Sequence, residues 1–162
     1  MTARMWLESF HWPHVVGAVT SIAAAYILAL PLALERRARA PGHLGLRTLP
    51  LVSVGACAYL VLTRYLSEHG IYDADGLART LRAVMTGIGF IGGGAIVKKA
   101  GSTSGVTTGA AVWNAGATGA AAAHGYFAVA AALALANLLI LEIPRWLTRL
   151  RRPGERDRAD SA

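Results

Sequence analysis

The sequence predicts an all-α membrane protein, a bundle of five transmembrane helices with its N-terminus outside and its C-terminus inside. Three observations lead to this prediction. Hydrophobic residues make up 54% of the 162 residues and charged residues only 15%, against about 25% charged in soluble domains. Long runs without any formal charge recur along the chain. The basic residues gather in short clusters between these runs, which is typical of membrane topology signals.

The net charge of +7 does not indicate nucleic acid binding, because the basic residues do not share a soluble face. Lipid headgroups and membrane topology explain them better. The one cysteine, Cys57, lies within an apolar run and has no second cysteine to pair with. We interpret it as a small buried hydrophobic residue. No cofactor and no metal ion are expected, because no metal-binding Cys/His spacing or phosphate loop occurs in a suitable context.

The first two spans differ in length. Residues 13–34 form a run of 22 residues without formal charge, which is long enough to cross a bilayer. Basic residues follow this run and do not precede it, so an uncleaved span is predicted and not a signal peptide. Residues 48–63 form a run of 16 between Arg47 and Arg64. Arginine side chains can extend outward at both ends, which makes this short span tolerable.

The second half of the chain predicts three more spans. An acidic loop over 67–76 precedes a span over 79–97, with Asp75 as the expected helix N-cap, and a loop follows over 98–105. Residues 100–141 include 42 positions without formal charge, which would extend about 63 Å as one helix. Two antiparallel spans with a turn near 123–126 are therefore predicted. The membrane domain covers 1–144, and a basic tail over 145–162 is expected to be disordered at its end.

The orientation of the bundle follows from the placement of Lys and Arg, because cytoplasmic loops retain positive charge. With the N-terminus outside, twelve of the 16 basic residues lie on the inner side. The four outer ones are Arg4, Arg64, Arg79 and Arg82. The acidic loop also lies outside, which agrees with the N-out, C-in prediction.

The stretch over 86–94 contains five glycines among nine residues. Gly87, Gly89 and Gly92 match the dinucleotide fingerprint G-x-G-x-x-G, but the acidic residue that should follow about 20 positions later is absent. Small residues four apart instead suit close helix contact in lipid. The predicted helix-packing or partner face comprises Gly87, Gly89, Gly92, Gly93, Gly94, Gly105, Gly109 and Trp113.

Two sets of polar residues are candidate sites. Thr86, Thr107, Thr108 and Asn114 are expected in or near the bundle. Asn114 lies near mid-depth of the fourth span and needs a hydrogen-bond partner there. An interhelical bond is the simpler interpretation, and a solute or partner contact is the alternative. The membrane-edge charges are Glu35, Arg36, Arg47, Asp75 and Arg79.

These edge charges allow two interpretations as well. The inner ones either set the topology or form an ion-pair cluster that joins the first two spans or meets a partner. On the outer side, Asp73 and Asp75 are expected to pair with Arg79 and Arg82, and a substrate contact is the alternative.

Five motifs, over 34–37, 45–48, 55–56, 86–94 and 105–113, resemble the MgtC/SapB membrane family, and the similarity covers 24–141. The resemblance implies a bacterial inner-membrane protein with five helices, N-out and C-in. Several family members support growth at low magnesium and survival inside host cells, and are thought to bind and restrain the membrane ATP synthase and not to carry magnesium. Others have no assigned activity. Ala83 stands where the family usually has Gln. Many members carry a folded cytoplasmic C-terminal domain, whereas a short tail follows the last span here.

The sequence therefore leads to three functional hypotheses. The first is a non-enzymatic regulator that contacts another integral membrane protein in the lipid bilayer, with the ATP synthase implied by the resemblance and a homo-oligomer possible. The second is a small transporter or channel for Mg²⁺ or another solute, although no Asp or Glu falls within a predicted span and Mg²⁺ is normally held by carboxylates. An enzyme is disfavoured, because no nucleophile–base pair or metal-binding spacing is found.

Overall fold

The computed structural model describes residues 12–38, 44–99 and 102–150 and confirms that the chain is helical. Five α-helices run through this part of the chain. They are α1 (Trp12–Arg37), α2 (Leu44–Glu68), α3 (Ala74–Gly94), α4 (Val106–Ala123) and α5 (Phe127–Leu150). Helix α5 continues past position 144, where the membrane domain was predicted to end. The rest of the predicted tail, 151–162, lies outside the described residues.

Three of these helices are long and apolar enough to cross a membrane, namely Trp12–Arg37, Leu46–Glu68 and Phe127–Pro144. Their apolar surface is largely not buried within the chain, since Leu135, Ile140 and Leu51 are 57%, 67% and 69% exposed. Exposed apolar surface of this kind indicates contact with lipid or protein. The chain is thus a membrane-type helical protein. Helix α4 is dominated by Ala, Gly and Thr, and α3 carries charges in its first half, so neither has the same apolar character.

The connection between α3 and α4 is a short β-hairpin and not the predicted loop. Strands β1 (Val97–Lys99) and β2 (Ser102–Ser104) pair antiparallel, with Val97 opposite Ser104. Strands of three residues are too short to show an alternating pattern in the sequence. Gly105 follows with a φ of 83°, and a side chain here would collide with the carbonyl oxygen of Ala95. This glycine is therefore required where the hairpin enters α4.

The start of α3 corrects the predicted N-cap. Asp73, and not Asp75, caps the helix, because its Oδ1 accepts a hydrogen bond of 2.7 Å from the backbone N–H of Gly76. Asp75 lies in the first turn instead. Its negative charge stabilises the helix there, because the N-terminal end of the helix dipole is positive. Two aspartates two positions apart both fit an N-cap pattern, and the sequence alone did not distinguish them.

The turn between α4 and α5 confirms the predicted division of the long charge-free stretch. Helix α4 ends at Ala123 and α5 begins at Phe127. Gly125 adopts a φ of 76° between them, a conformation that glycine reaches without steric cost.

The interior of the bundle is built largely from small residues. Helix α2 packs against α1 and α4, α3 packs against α4 and α2, and α5 packs against α4 and α1. One buried cluster comprises Leu32, Ala33, Leu49, Ala56, Ile88, Ala111, Val112 and Ala115. A second comprises Ala25, Cys57, Leu60, Ala122 and Ala123. Alanine at this frequency lets helix backbones approach closely, as in membrane bundles.

Candidate functional site: the faces of the α3 and α4 helices

Gly92 on α3 and Gly109 on α4 form the close crossing of these two helices. A Cβ atom on Gly92 would lie 2.9 Å from the carbonyl oxygen of Gly109, and a Cβ on Gly109 would lie 2.6 Å from that of Gly92. Real Cβ atoms essentially never come that close to the backbone. These two members of the predicted glycine face therefore lie in a backbone-to-backbone contact inside the chain.

The other glycines of the stretch point away from the bundle. A Cβ on Gly87, Gly89, Gly93 or Gly94 would meet no atom within 4 Å, and all four residues are exposed. The spacing from Gly89 to Gly93 therefore does not mark a contact between described parts of this chain. Two of these glycines, Gly89 and Gly93, form together with Thr86 and Phe90 what we call the exposed α3 face. Phe90 is 85% exposed on this face.

Two further glycines of α4 make close contacts that the sequence interpretation missed. A side chain on Gly119 would collide with the backbone carbonyl of Ser53 on α2, and one on Gly116 would collide with Ile88 on α3. With Gly109 they recur at intervals of seven and three residues, which keeps them near one face of a helix. This periodicity is the feature of the sequence from which the glycine contact face of α4 could have been predicted. Trp113 is 47% exposed and borders a cavity of about 160 Å³ beside Met85, Ile88 and Gly116.

The polar candidates do not converge on one place. Asn114 Nδ2 donates a hydrogen bond of 2.8 Å to Asn137 Oδ1 on α5, so the expected interhelical partner exists. Thr86 Oγ1 instead donates to the carbonyl of Arg82 in its own helix. Thr107 is exposed and Thr108 is half-buried.

Asn137 and Ser53 are polar residues that the sequence interpretation overlooked. Asn137 is 6% exposed, and it is the one amide within the apolar run of α5. Ser53 is fully buried, and its hydroxyl donates to the carbonyl of Ala25 at 2.9 Å, which joins α2 to α1. The interior polar groups named here are neutral and bonded to each other or to the backbone.

The charged candidates lie at the two ends of the bundle. Glu35 is 7% exposed, and Arg36 Nε donates to its Oε2 at 2.8 Å. This pair lies within α1, and Arg47 is exposed on α2. At the opposite end Arg79 Nη2 lies 3.7 Å from Asp73 Oδ1, which confirms the expected pairing for that arginine. Both partners are largely exposed, so the pair contributes little to stability.

A second polar cluster joins α1 to α2 at the Arg79 end. His14 Nδ1 lies 3.5 Å from Glu68 Oε2, and the His14 and Tyr65 rings meet edge to face with centroids 5.7 Å apart. Arg64 Nη1 donates to the carbonyl of Ala123 at 2.8 Å, which satisfies a free carbonyl at the C-terminus of α4. Within the described ranges, no three His, Cys, Asp or Glu residues are grouped so that they could hold a metal ion.

Comparison with known proteins agrees with the resemblance. The model of the MgtC family matches residues 22–150. The "Putative magnesium transporter YhiD" of Escherichia coli (strain K12) is 32% identical over 120 residues, which cover 72% of this chain and 55% of that protein. "Protein SapB" of Bacillus subtilis (strain 168) is 30% identical over 129 residues, which cover 77% of this chain and 55% of that protein.

"Protein MgtC" of Brucella abortus (strain 2308) is 31% identical over 110 residues, which cover 67% of this chain and 43% of that protein. The chain thus spans about half the length of the curated relatives it matches. No solved structure matches the chain.

Proposed function

Because the chain belongs to the MgtC family, we propose that it is a multi-pass inner-membrane protein, linked to magnesium homeostasis, that regulates another membrane protein through helix–helix contact. The observation that carries this proposal is the exposed α3 face. Gly89 and Gly93 leave space for a foreign helix, and Phe90 beside them is almost fully exposed. Small residues four apart let a partner backbone approach closely in lipid. The ATP synthase, which the family resemblance implies, is the first partner to test for binding.

The proposal includes five spans with the N-terminus outside. The bond from Arg64 to the carbonyl of Ala123 supports this arrangement, because it brings the C-terminal ends of α2 and α4 to the same end of the bundle. The contact between Gly92 and Gly109 lies at the other end, beside the hairpin. Lys98 and Arg36 belong to that basic end, which the positive-inside rule assigns to the cytoplasm.

Single cysteines test this topology. In a Cys57→Ala background, Ile71→Cys and His124→Cys should react with a membrane-impermeant maleimide in intact cells, because both side chains are exposed at the outer end. Thr103→Cys in the hairpin should react only after the membrane is opened. Labelling of all three from outside, or of Ile71→Cys and His124→Cys from opposite sides, would contradict the five-span arrangement.

A transporter is the second candidate, and it is favoured by the description of the Escherichia coli relative as a putative magnesium transporter. The charges of the bundle argue against it. Apart from Glu35, which lies at the C-terminal end of α1 and pairs with Arg36, the buried polar groups within the described helices are hydroxyls and amides such as Ser53, Thr118 and Asn137. Glu142, near the end of the α5 span, is exposed. Mg²⁺ holds its hydration shell strongly and is normally bound through carboxylates.

Reconstitution separates the two candidates. Purified protein in sealed liposomes should show no Mg²⁺ flux above empty liposomes. Reconstituted with the ATP synthase, it should lower ATP-driven proton pumping, and Gly89→Leu or Gly93→Leu should abolish that effect. Ala136→Leu, at an exposed position of α5, is the matched control. A saturable Mg²⁺ flux that Thr108→Val removes from folded protein would overturn the regulator in favour of the transporter.

A further inference from the structure

A groove runs between α2 and α3 on the surface of the bundle, and its volume is about 660 Å³. It exists because small residues face each other across it. Gly55 on α2 and Gly87 on α3 both line it, and a Cβ on either would meet no atom within 4 Å. Its lining is almost entirely apolar, and Leu51 and Tyr59 form one exposed wall. We call it the α2–α3 groove.

The length of the groove matches one leaflet of a bilayer. It extends from Thr48 to Tyr59 along α2 and from Thr80 to Ile91 along α3, which corresponds to about 16 Å at 1.5 Å per residue. Half of a hydrocarbon core of about 30 Å is about 15 Å. The groove is therefore about as long as one acyl chain that reaches from the membrane surface to the bilayer centre.

The charges at the two ends of the groove differ. Arg47 lies four residues before Leu51, so it shares the face of α2 that carries Leu51, Gly55 and Tyr59. Long side chains on a helix extend toward its N-terminus, which takes the guanidinium of Arg47 beyond the end of the groove. Arg47 is exposed, and none of the ion pairs among the described residues includes it.

Acidic residues balance the opposite end. Arg79 pairs with Asp73 there, and the negative charge of Asp75 in the first turn of α3 offsets the positive charge of Arg82 at the same end. Net positive charge that could bind an anionic headgroup is therefore found at the Arg47 end of the groove. Lys98 of the hairpin is also exposed at that end. Guanidinium groups bind phosphate through two parallel hydrogen bonds.

We propose that the α2–α3 groove binds an anionic phospholipid, with one acyl chain between Gly55 and Gly87 and the phosphate at Arg47. In the N-out arrangement this lipid belongs to the inner leaflet. The site lies apart from the exposed α3 face, and the proposal does not depend on the regulatory function. It requires only that α2 spans the membrane, which its length and composition support.

Native mass spectrometry of the full chain in mild detergent tests the proposal, with dioleoyl phosphatidylglycerol and dioleoyl phosphatidylcholine as probes. Wild-type protein should retain more phosphatidylglycerol than phosphatidylcholine, by roughly fivefold for one basic residue at an anionic headgroup. Gly55→Leu fills the groove and should lose both adducts. Arg47→Gln should keep the adducts and lose the preference. Gly93→Leu, at a position that does not line the groove, and Arg79→Gln, at the end opposite Arg47, should behave as wild type.

Folding is monitored through Cys57, which is fully buried and should be protected from maleimide in every folded variant. Should Gly55→Leu fail this check, Gly87→Leu fills the groove from the α3 side. Wild-type adducts in a folded groove-filled variant would overturn the proposal, as would equal retention of the two lipids by wild-type protein. Loss of self-association with unchanged lipid adducts would assign the groove to a partner helix instead.

Discussion

Gly119→Leu is expected to be among the most damaging single substitutions in this chain. A side chain at this position would collide with the carbonyl carbon and oxygen of Ser53 on α2, and backbone cannot rotate away as a side chain can. Ser53 is fully buried and bonded to Ala25 on α1, so a shift of α2 would also disturb α1. Overpacking lowers the free energy of unfolding by about 1–3 kcal/mol in soluble cores. Because this collision involves backbone atoms, we expect a loss at the upper end of that range.

Heating the protein in mild detergent with a maleimide reagent measures this loss, because buried Cys57 becomes reactive only when the bundle opens. For Gly119→Leu we expect the midpoint of labelling to fall by roughly 6–12 °C, the shift for about 3 kcal/mol in a chain of this size. Gly93→Leu adds the same bulk at an exposed glycine with open space around it and should leave the midpoint unchanged. Equal midpoints for the two variants would contradict the packing described here.

The contrast between these two glycines shows where sequence reasoning reaches its limit. Composition and charge-free length were enough to predict the helices, because a long uncharged run can satisfy its backbone in lipid only as a helix. They also located the turn at 123–126, since 42 residues exceed one span. These features depend on the local chain alone.

The direction in which each glycine faces does not depend on the local chain. Glycines at positions 87, 89, 92, 93 and 94 occur around most of the circumference of α3, so no periodicity distinguishes Gly92 from Gly93. Only the position of α4 makes Gly92 a contact and leaves Gly93 exposed. The same limit applies to Asn114, whose need for a partner could be predicted from polarity. Its partner Asn137 lies 23 residues away on another helix.

Glu35→Leu is the substitution with the second largest expected effect. The side chain of Glu35 is 3% exposed and that of Arg36 is 14% exposed, with 2.8 Å between Oε2 and Nε. Removing the carboxylate leaves a nearly buried guanidinium without this counter-charge. Breaking a buried pair in this way costs about 3–5 kcal/mol in soluble proteins. We expect a smaller loss here, because the end of α1 lies near the headgroups and a long arginine can extend toward water.

The double variant Glu35→Leu/Arg36→Leu distinguishes the pair from its individual charges. If the loss comes from a stranded guanidinium, the double variant should regain much of the stability, since apolar replacements of a buried pair are often neutral. Arg37→Leu removes the neighbouring exposed arginine and should have little effect on Cys57 labelling. A double variant as unstable as Glu35→Leu would mean that Glu35 acts through groups other than Arg36. The inner side would still hold eleven of its twelve basic residues without Arg36, so reversal of the topology would not explain any instability of the double variant.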